Sequence, residues 1–389
     1  MDQGERLATW RLRVGAALAR PSPAAGDAYP VDAVHHLLAL GVQRIPFGPE
    51  MGGEGLGMRG LVAILEDLAA VDGSLAAIVM GMYSANAFLA ASASVEQRRT
   101  VLGPLLAGEG LAAVAVTEPD GGTDVAAIAT TCQMRRDGTW RLNGRKAFIS
   151  NTGHPLWRLT IVLASGPERG GHTVFLVPSD APGLTVGSAR ATIGWRRVGV
   201  HDLALDGVSL PDACRLGEAG GGLRLALQAF ERGRVAVAAL ATGLCRGAWQ
   251  EAEAYARVRR TFGEPLVAHQ AVADHLVDLW RLYTRGRLVT DQAAQTLDAG
   301  LDRGPWAALA KWEATDAAVH AARLSAQTLG GHGLLVGSRA AERWADAKTL
   351  EVVEGSTEVQ ALVLRRLLQR VGLPARPGEE GEGAAHADA

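Results

Sequence analysis

Between about residue 111 and Pro211 the chain breaks into short apolar segments set apart by turn residues, whereas the sequence on both sides keeps helical spacing. Leu111–Thr117 is a short apolar run, and Thr139–Leu142 and His172–Val177 have strand composition. Arg136-Asp137-Gly138, Asn143-Gly144, Arg169-Gly170-Gly171 and Ala181-Pro182-Gly183 supply the turn signals between them. Gly, Asn and Asp tolerate the backbone angles that a tight reversal needs. One element about every ten residues predicts a small antiparallel barrel or sandwich.

Ahead of this stretch, residues 5 to about 110 read as helices, with helical spacing in Ile64–Ala69 and in the Ala-rich segment 75–92. After a glycine-rich hinge from Gly217 to Gly222, long helical stretches are predicted at about 223–260, 266–298, 305–329 and 338–371. Short connections between long helices imply an antiparallel bundle. The expected fold class is α+β and multidomain: an N-terminal helical domain (1–112), a middle antiparallel β-barrel domain (113–216) and a C-terminal helical bundle (217–373). Residues 374–389 hold no large apolar side chain and are expected to be disordered. A length of 389 residues is consistent with two or three subdomains.

Composition excludes several functions. With 48% apolar and 21% charged residues, the chain has ample core for a globular protein. A net charge of −2 gives no electrostatic footprint for nucleic acid. Cys132, Cys214 and Cys245 are odd in number, far apart and without a C-x-x-C, which rules out a disulfide framework and a zinc-finger pattern. No apolar run reaches the 18 or so residues of a spanning helix, so no membrane association is expected. The opening residues lack a signal-peptide layout, and the expected location is cytoplasmic.

Five stretches carry chemistry. Glu354-Gly355-Ser356 interrupts an apolar helical neighbourhood, where Gly costs roughly 1 kcal/mol relative to Ala. That interruption is either an ordinary helix end or a break that turns Glu354 into a pocket. In Val116-Thr117-Glu118-Pro119-Asp120-Gly121-Gly122-Thr123-Asp124 a strand ends, Glu-Pro forces an extended turn, and two glycines let backbone N–H groups approach an anionic or flat heteroaromatic ligand. Asn143-Gly144 reads as a hairpin leading into a strand that closes with Phe148-Ile149-Ser150. Arg257, Arg259 and Arg260, before Thr261-Phe262-Gly263, place cations at a helix C-terminus, and Arg259 with Thr261 could equally clamp a pyrophosphate. Gln327-Thr328-Leu329-Gly330-Gly331-His332-Gly333 sets three glycines in a helical region, which implies close approach of a backbone or ligand. The formal G-x-G-x-x-G at Gly55, Gly57 and Gly60 is not a dinucleotide fingerprint, because no strand precedes it.

In this order and at these separations the five stretches resemble the acyl-CoA dehydrogenase superfamily of flavoproteins, over about residues 10 to 371. Pro49-Glu50-Met51-Gly52-Gly53, Thr117-Glu118-Pro119, Arg259-x-x-Phe262-Gly263, Gln270, Gln327-x-x-Gly330-Gly331 and Glu354-Gly355-Ser356 correspond to its signatures. The resemblance implies FAD and an acyl thioester substrate. It implies flavin contacts from Val116, Thr117, Phe148, Ile149 and Ser150, with Gly122 and Thr123 near the pyrophosphate. A neighbouring subunit would supply Arg259, Thr261, Gln270, Gln327 and Gly331, making a homo-oligomer, dimer or tetramer, part of the cofactor site, and Phe262, His269 and Gly330 are also expected to bind the cofactor. Ser356 and Glu358 would close the site. Glu354 would take the α-proton while flavin N5 accepts the β-hydride, and the Glu354 N–H and Gly355 would belong to the turn that binds the thioester carbonyl. Branches that take their base from the helix at 225–240 have a carboxylate where this chain has Arg234. Glu231 and Arg234 are expected either to bind substrate or to form an i,i+3 surface pair.

This chain departs from the common branch at Val353, where Tyr is usual, at Ser356, where Thr is usual, and at Ala345 before Asp346. The Glu-Gly-Ser variant is similar to members from polyketide and nonribosomal-peptide pathways, which implies CoA or a carrier protein as the tether. Electrons would pass to an electron-transfer flavoprotein or to oxygen. The alternatives are a flavin monooxygenase on the same fold and a non-catalytic flavin-binding relative.

Overall fold

The computed structural model describes residues 2–19, 27–166, 171–300 and 304–373. The tail from Pro374 to Ala389 lies outside these residues, so its expected disorder is not addressed.

The N-terminal region is helical. α1 (Gln3–Leu18) starts on a reciprocal cap: the Asp2 carboxylate accepts the Glu5 N–H, and the Glu5 carboxylate accepts the Asp2 N–H. Both donors would otherwise be left bare at a helix start. α2 (Val31–Leu40), α3 (Gly57–Val71) and α4 (Gly73–Ser92) follow. Short segments α5 (Val95–Gln97) and α6 (Gly103–Leu106) then lead to the sheet. Asp72 separates α3 from α4, its carboxylate accepting the Leu75 N–H at 3.0 Å. By length and composition α4 meets the requirement for a membrane span, contrary to the expectation that no such run exists. Of its most apolar window 78% is buried inside the protein, packed against α3 and the sheet, so its apolarity serves the core.

Eight strands form the middle sheet: β1 (Leu111–Ala115), β2 (Thr131–Met134), β3 (Thr139–Ile149), β4 (Trp157–Ser165), β5 (His172–Pro178), β6 (Leu184–Val186), β7 (His201–Pro211) and β8 (Arg215–Leu216). Their order is β6-β7-β3-β2-β4-β5-β8, with β1 beside β4. Most neighbours are antiparallel, but β1 runs parallel to β4 through five residues, and β2 touches β4 in parallel at one pair. A parallel pair needs a long crossover, which the whole β2–β3 hairpin provides here. Alternation then divides the side chains. On β4 and β5, Val162, Ala164, Phe175 and Val177 enter the core of the β domain, while Ile161, Leu163, Val174 and Leu176 join the helical core.

Asn143-Gly144 is not a hairpin turn. It lies inside the continuous strand β3, where the register with β7 shifts between Leu142 and Gly144. Gly144 sits at φ 150°, and a Cβ there would lie 2.5 Å from the Thr130 hydroxyl oxygen, so this glycine marks a bulge rather than a reversal. The β2–β3 turn is at Asp137-Gly138, with Gly138 at φ 80°.

The C-terminal bundle is built on α7 (Gly222–Val258), 37 residues long, which packs against α3, α4 and the sheet on one side. A two-stranded hairpin of β9 (Arg260–Thr261) and β10 (Glu264–Pro265) follows, then α8 (Gln270–Asp298), α9 (Gly304–Leu329), α10 (Arg339–Val352) and α11 (Thr357–Val371). Glu66, fully buried on α3, locks this junction. Its carboxylate accepts from Arg246 of α7 at 2.9 Å, and from Arg287 at 2.5 Å and the Tyr283 hydroxyl at 3.1 Å, both on α8. Two guanidiniums and a phenol satisfy a charge whose burial would otherwise cost several kcal/mol.

Gly243 lets α7 reach α3, since a Cβ there would stand 2.5 Å from the Glu66 carbonyl oxygen and 2.7 Å from the Ala69 Cβ. Gly243→Val should therefore destabilise the protein by about 1–3 kcal/mol through overpacking, read as a lowered urea midpoint. An unchanged midpoint would show that the two helices separate freely.

Candidate active site

α10 ends at Val352 and α11 begins at Thr357, so the helix expected over 338–371 is broken between them. Val353 is extended, and Glu354 (φ 54°) and Gly355 (φ 86°) are both left-handed. For Gly this is free of penalty, but for Glu it costs roughly 1–2 kcal/mol. Side chains from two helices hold the turn. Lys311 of α9 donates to the carbonyl oxygens of Glu351 (2.8 Å) and Gly355 (2.7 Å), and Gln360 of α11 donates to Gly355 at 2.8 Å. The N–H of Glu354 has no hydrogen-bond partner among the described residues.

The Glu354 carboxylate is turned toward α7. Gly233 makes room for it: a Cβ on that residue would stand 2.8 Å from Glu354 Oε2. This oxygen is shielded from solvent and accepts no hydrogen bond from any described group. Burial pushes the Glu354 pKa up to about 7, although Arg234 and Lys311 pull it down. Arg234 is 8% exposed, with an unpartnered Nε, and burial lowers its pKa against the pull of Glu231 and Glu354. Glu231 still attracts Arg234 across one helical turn, but with the guanidinium buried rather than exposed. A desolvated carboxylate with an uncommitted oxygen and a midpoint near neutrality has the properties of a general base.

A second cluster surrounds Thr117. The Glu118 N–H donates to the Gly121 carbonyl at 2.9 Å and the Gly121 N–H donates back at 3.2 Å, closing the turn. Beneath it, the fully buried Lys146 donates to the Glu118 carboxylate (2.8 Å) and the Val116 carbonyl (3.0 Å). Burial pushes the Glu118 pKa up, but the Lys146 bond and the Ala129 and Thr130 N–H groups bring it below the ordinary carboxylate value. Thr117 is half-buried, while Gly121, Gly122 and Thr123 are exposed beyond it. On β3, the register shift between Lys146 and Ile149 puts Phe148 at φ 60°, with its ring 56% exposed and Arg190 stacked over it at 4.3 Å. Ile149 is buried, and Ser150 is half-buried at the strand end. Hydroxyls, free backbone edges and an aromatic face form a donor set suited to a flat heteroaromatic group such as flavin.

A third cluster is exposed. Arg259, Thr261, Gln270, Gln327, Gly330 and Gly331 all face solvent, and Phe262 is 94% exposed at the tip of the β9–β10 hairpin. His269 Nε2 donates to the Thr261 carbonyl of the hairpin at 3.1 Å, and its ring meets Phe262 edge-on. Tyr255 near the end of α7 contacts His332, bringing the hairpin and the Gly330-Gly331 loop to one face. Ser356 and Glu358 pair with each other, hydroxyl to carboxylate at 2.7 Å, at the start of α11.

Sequence reasoning missed Lys311, Gln360 and Gly233, and gave Lys146 no role. A lysine among Ala307, Ala308, Ala310 and Ala314 on an otherwise apolar helix face was the available signal for Lys311. A glycine between Arg232 and Arg234 within a helix was the signal for Gly233.

The N-terminal, middle and C-terminal domain families of the acyl-CoA dehydrogenases match residues 14–109, 113–208 and 220–369. The human mitochondrial short-chain specific acyl-CoA dehydrogenase is 31% identical over 350 residues, covering 88% of this chain and 83% of that protein. Butyryl-CoA dehydrogenase of Megasphaera elsdenii is similar at TM-score 0.90 and 28% identity, covering 95% of this chain and 99% of that one. FkbI, described as serving biosynthesis of the methoxymalonyl extender unit of the polyketide Fk520, is similar at TM-score 0.82 and 28% identity, covering 96% and 100%. The chain belongs to the acyl-CoA dehydrogenase family. It is an FAD-dependent oxidoreductase of acyl thioesters, acting on CH–CH bonds.

Gly233→Val should displace the Glu354 carboxylate, because the new side chain claims its space. The expected outcome is a loss of at least about 100-fold in the rate of flavin reduction by thioester, equivalent to about 2.7 kcal/mol of barrier. FAD content should stay at the wild-type level. A wild-type rate would show that the carboxylate is not needed where it lies.

Proposed function

We propose that Glu354 removes the α-proton of the acyl thioester and that its own N–H, with the Gly355 turn, polarises the thioester carbonyl. The observation that carries this reading is the solvent-shielded, unpartnered Oε2 on a residue held in a left-handed turn. An α-proton beside a carbonyl is weakly acidic, so its removal needs a base of raised pKa together with a donor aimed at the developing oxyanion. Glu354 supplies the first from its side chain and the second from its backbone. Bound FAD supplies the acceptor for the β-hydrogen and its electron pair. Arg234, buried beside the carboxylate, keeps the ionised form available near neutral pH. A monooxygenase on this fold has no need of such a base, and the shielded carboxylate favours the dehydrogenase.

The same reading places Val116, Thr117, Phe148, Ile149 and Ser150 at the flavin, with Gly122 and Thr123 toward the pyrophosphate. It assigns Arg259, Thr261, Phe262, His269, Gln270, Gln327, Gly330 and Gly331 to the FAD of a second copy of the chain. Helix geometry supports that assignment. Gly233, beside the base, and Val258, before Arg259, lie on one helix, and at 1.5 Å per residue they are roughly 38 Å apart. That is farther than one dinucleotide reaches, so a single chain does not serve one FAD from both ends. A homo-oligomer follows, with electrons passing on to an electron-transfer flavoprotein. The similarity to FkbI supports a place in secondary metabolism, and the Glu354-Gly355-Ser356 variant, with Val353 before it, favours a carrier-protein-bound acyl group as substrate.

Because the base must be ionised, kcat/KM should rise with pH through about 7 and level off above it. Glu354→Gln should retain FAD yet no longer bleach on anaerobic addition of thioester, and reduction at the wild-type rate would remove Glu354 from the role. Presented with one acyl group on CoA and on a phosphopantetheinylated carrier protein, the enzyme should reduce its flavin faster with the carrier. Clear preference for CoA would overturn the tether assignment.

A further inference from the structure

Lys311 is fully buried on the inner face of α9, with Ala307, Ala308, Ala310 and Ala314 as buried neighbours on that helix. Its ammonium makes no ion pair with any described carboxylate. Instead it binds two carbonyl oxygens, those of Glu351 and Gly355, which lie on either side of Glu354. The first is in the last turn of α10, where the helix dipole favours a cation. The second belongs to the residue after the left-handed Glu354, and Gln360 shares it.

A neutral amide is enough to bind backbone carbonyls, as Gln360 does in the same turn. A buried ammonium is costly to desolvate unless a nearby anion makes use of its charge. The charged groups around it are Glu351 on α10, Glu354 in the turn, Glu358 on α11 and Arg234 on α7. Glu358 is exposed and paired with Ser356, and Glu351 is held by Lys348 at 2.6 Å. Among the described residues, Glu354 is the one of these three carboxylates with a buried oxygen, Oε2, left without a partner.

We propose that Lys311 is a positioning residue for proton abstraction: it fixes the Glu354–Gly355 peptide through the two flanking carbonyls and keeps the Glu354 carboxylate ionised. This rests on Glu354 being the base. The ammonium has three N–H groups, and two of them set the direction of the turn. Its charge acts through space on Glu354, without touching substrate or flavin. Burial pushes the Lys311 pKa down to about 8 while Glu351 and Glu354 pull it up, so the side chain is charged at neutral pH.

The sign is fixed by the charge. Removing a cation that stabilises a carboxylate raises the carboxylate's midpoint. In the FAD holoenzyme, Lys311→Met should move the pH midpoint of flavin reduction upward by about one unit, a tenfold change in proton affinity. It should slow reduction at pH 7 by about tenfold or more, with KM and FAD content nearly unchanged. Lys311→Gln keeps a donor without the charge, so it should recover the rate at high pH and retain the raised midpoint. Linkage is reciprocal, which gives a measurement that needs no substitution of Lys311. The Lys311 ammonium, followed by 15N NMR, should titrate at lower pH in Glu354→Gln than in wild type. Unmoved midpoints in these variants and an unmoved Lys311 titration would overturn the proposal. If Glu354→Gln fails to reduce flavin while those midpoints stay put, the base assignment stands and only the role of Lys311 falls. If Glu354→Gln reduces flavin normally, both fall.

Discussion

The site depends on two consecutive left-handed residues between α10 and α11. A continuous helix through 353–356 would carry the Glu354 side chain around the helix surface, and its N–H would be consumed by the carbonyl four residues back. The break frees that N–H and turns the carboxylate toward α7. Left-handed geometry is disfavoured for Glu, so it persists only where neighbours over-determine it. Here Lys311 and Gln360, from the helices on either side, both bind the Gly355 carbonyl. The strain thus sits on the residue proposed as the base.

α7 links this turn to everything else. Near its middle, Gly243 allows contact with α3, and Glu66 ties α3, α7 and α8 through buried ion pairs. Earlier along the helix, Gly233 and Arg234 form the wall facing Glu354. At its far end Arg259 and the β9–β10 hairpin stand exposed, away from Glu354. The buried Lys146–Glu118 pair performs a comparable task in the β domain, fixing the Thr117 loop to β3. In both places a buried lysine donates to backbone carbonyl oxygen, once at Val116 and twice around Glu354.

The order of helices, sheet and helices was legible because hydrophobic spacing changes sharply near 111 and again near 217, and the glycines at 138 and 183 mark real turns, the first of them a hairpin. Asn143-Gly144 misled because the dipeptide favours both a hairpin turn and a bulge, and only pairing with β7 decides between them. The parallel β1–β4 contact was invisible, since pairing between distant strands leaves no local pattern. The helix break at Glu354-Gly355 could be read from the glycine alone. Its support could not: Lys311 lies 43 positions upstream, and nothing in the spacing shows that α9 passes beneath the turn. Likewise α4 looks like a spanning helix by composition, and only its burial identifies it as core.

Proton removal and hydride departure are separable in a thioester that carries α-hydrogens but has oxygen in place of the β-carbon. Incubated in deuterium oxide with the FAD holoenzyme, such a compound should exchange its α-hydrogens for deuterium, followed by proton NMR, at a rate that rises through about pH 7. Glu354→Gln should stop the exchange while the compound still binds. Exchange at the wild-type rate in that variant would contradict the assignment of Glu354 as the group that takes the proton.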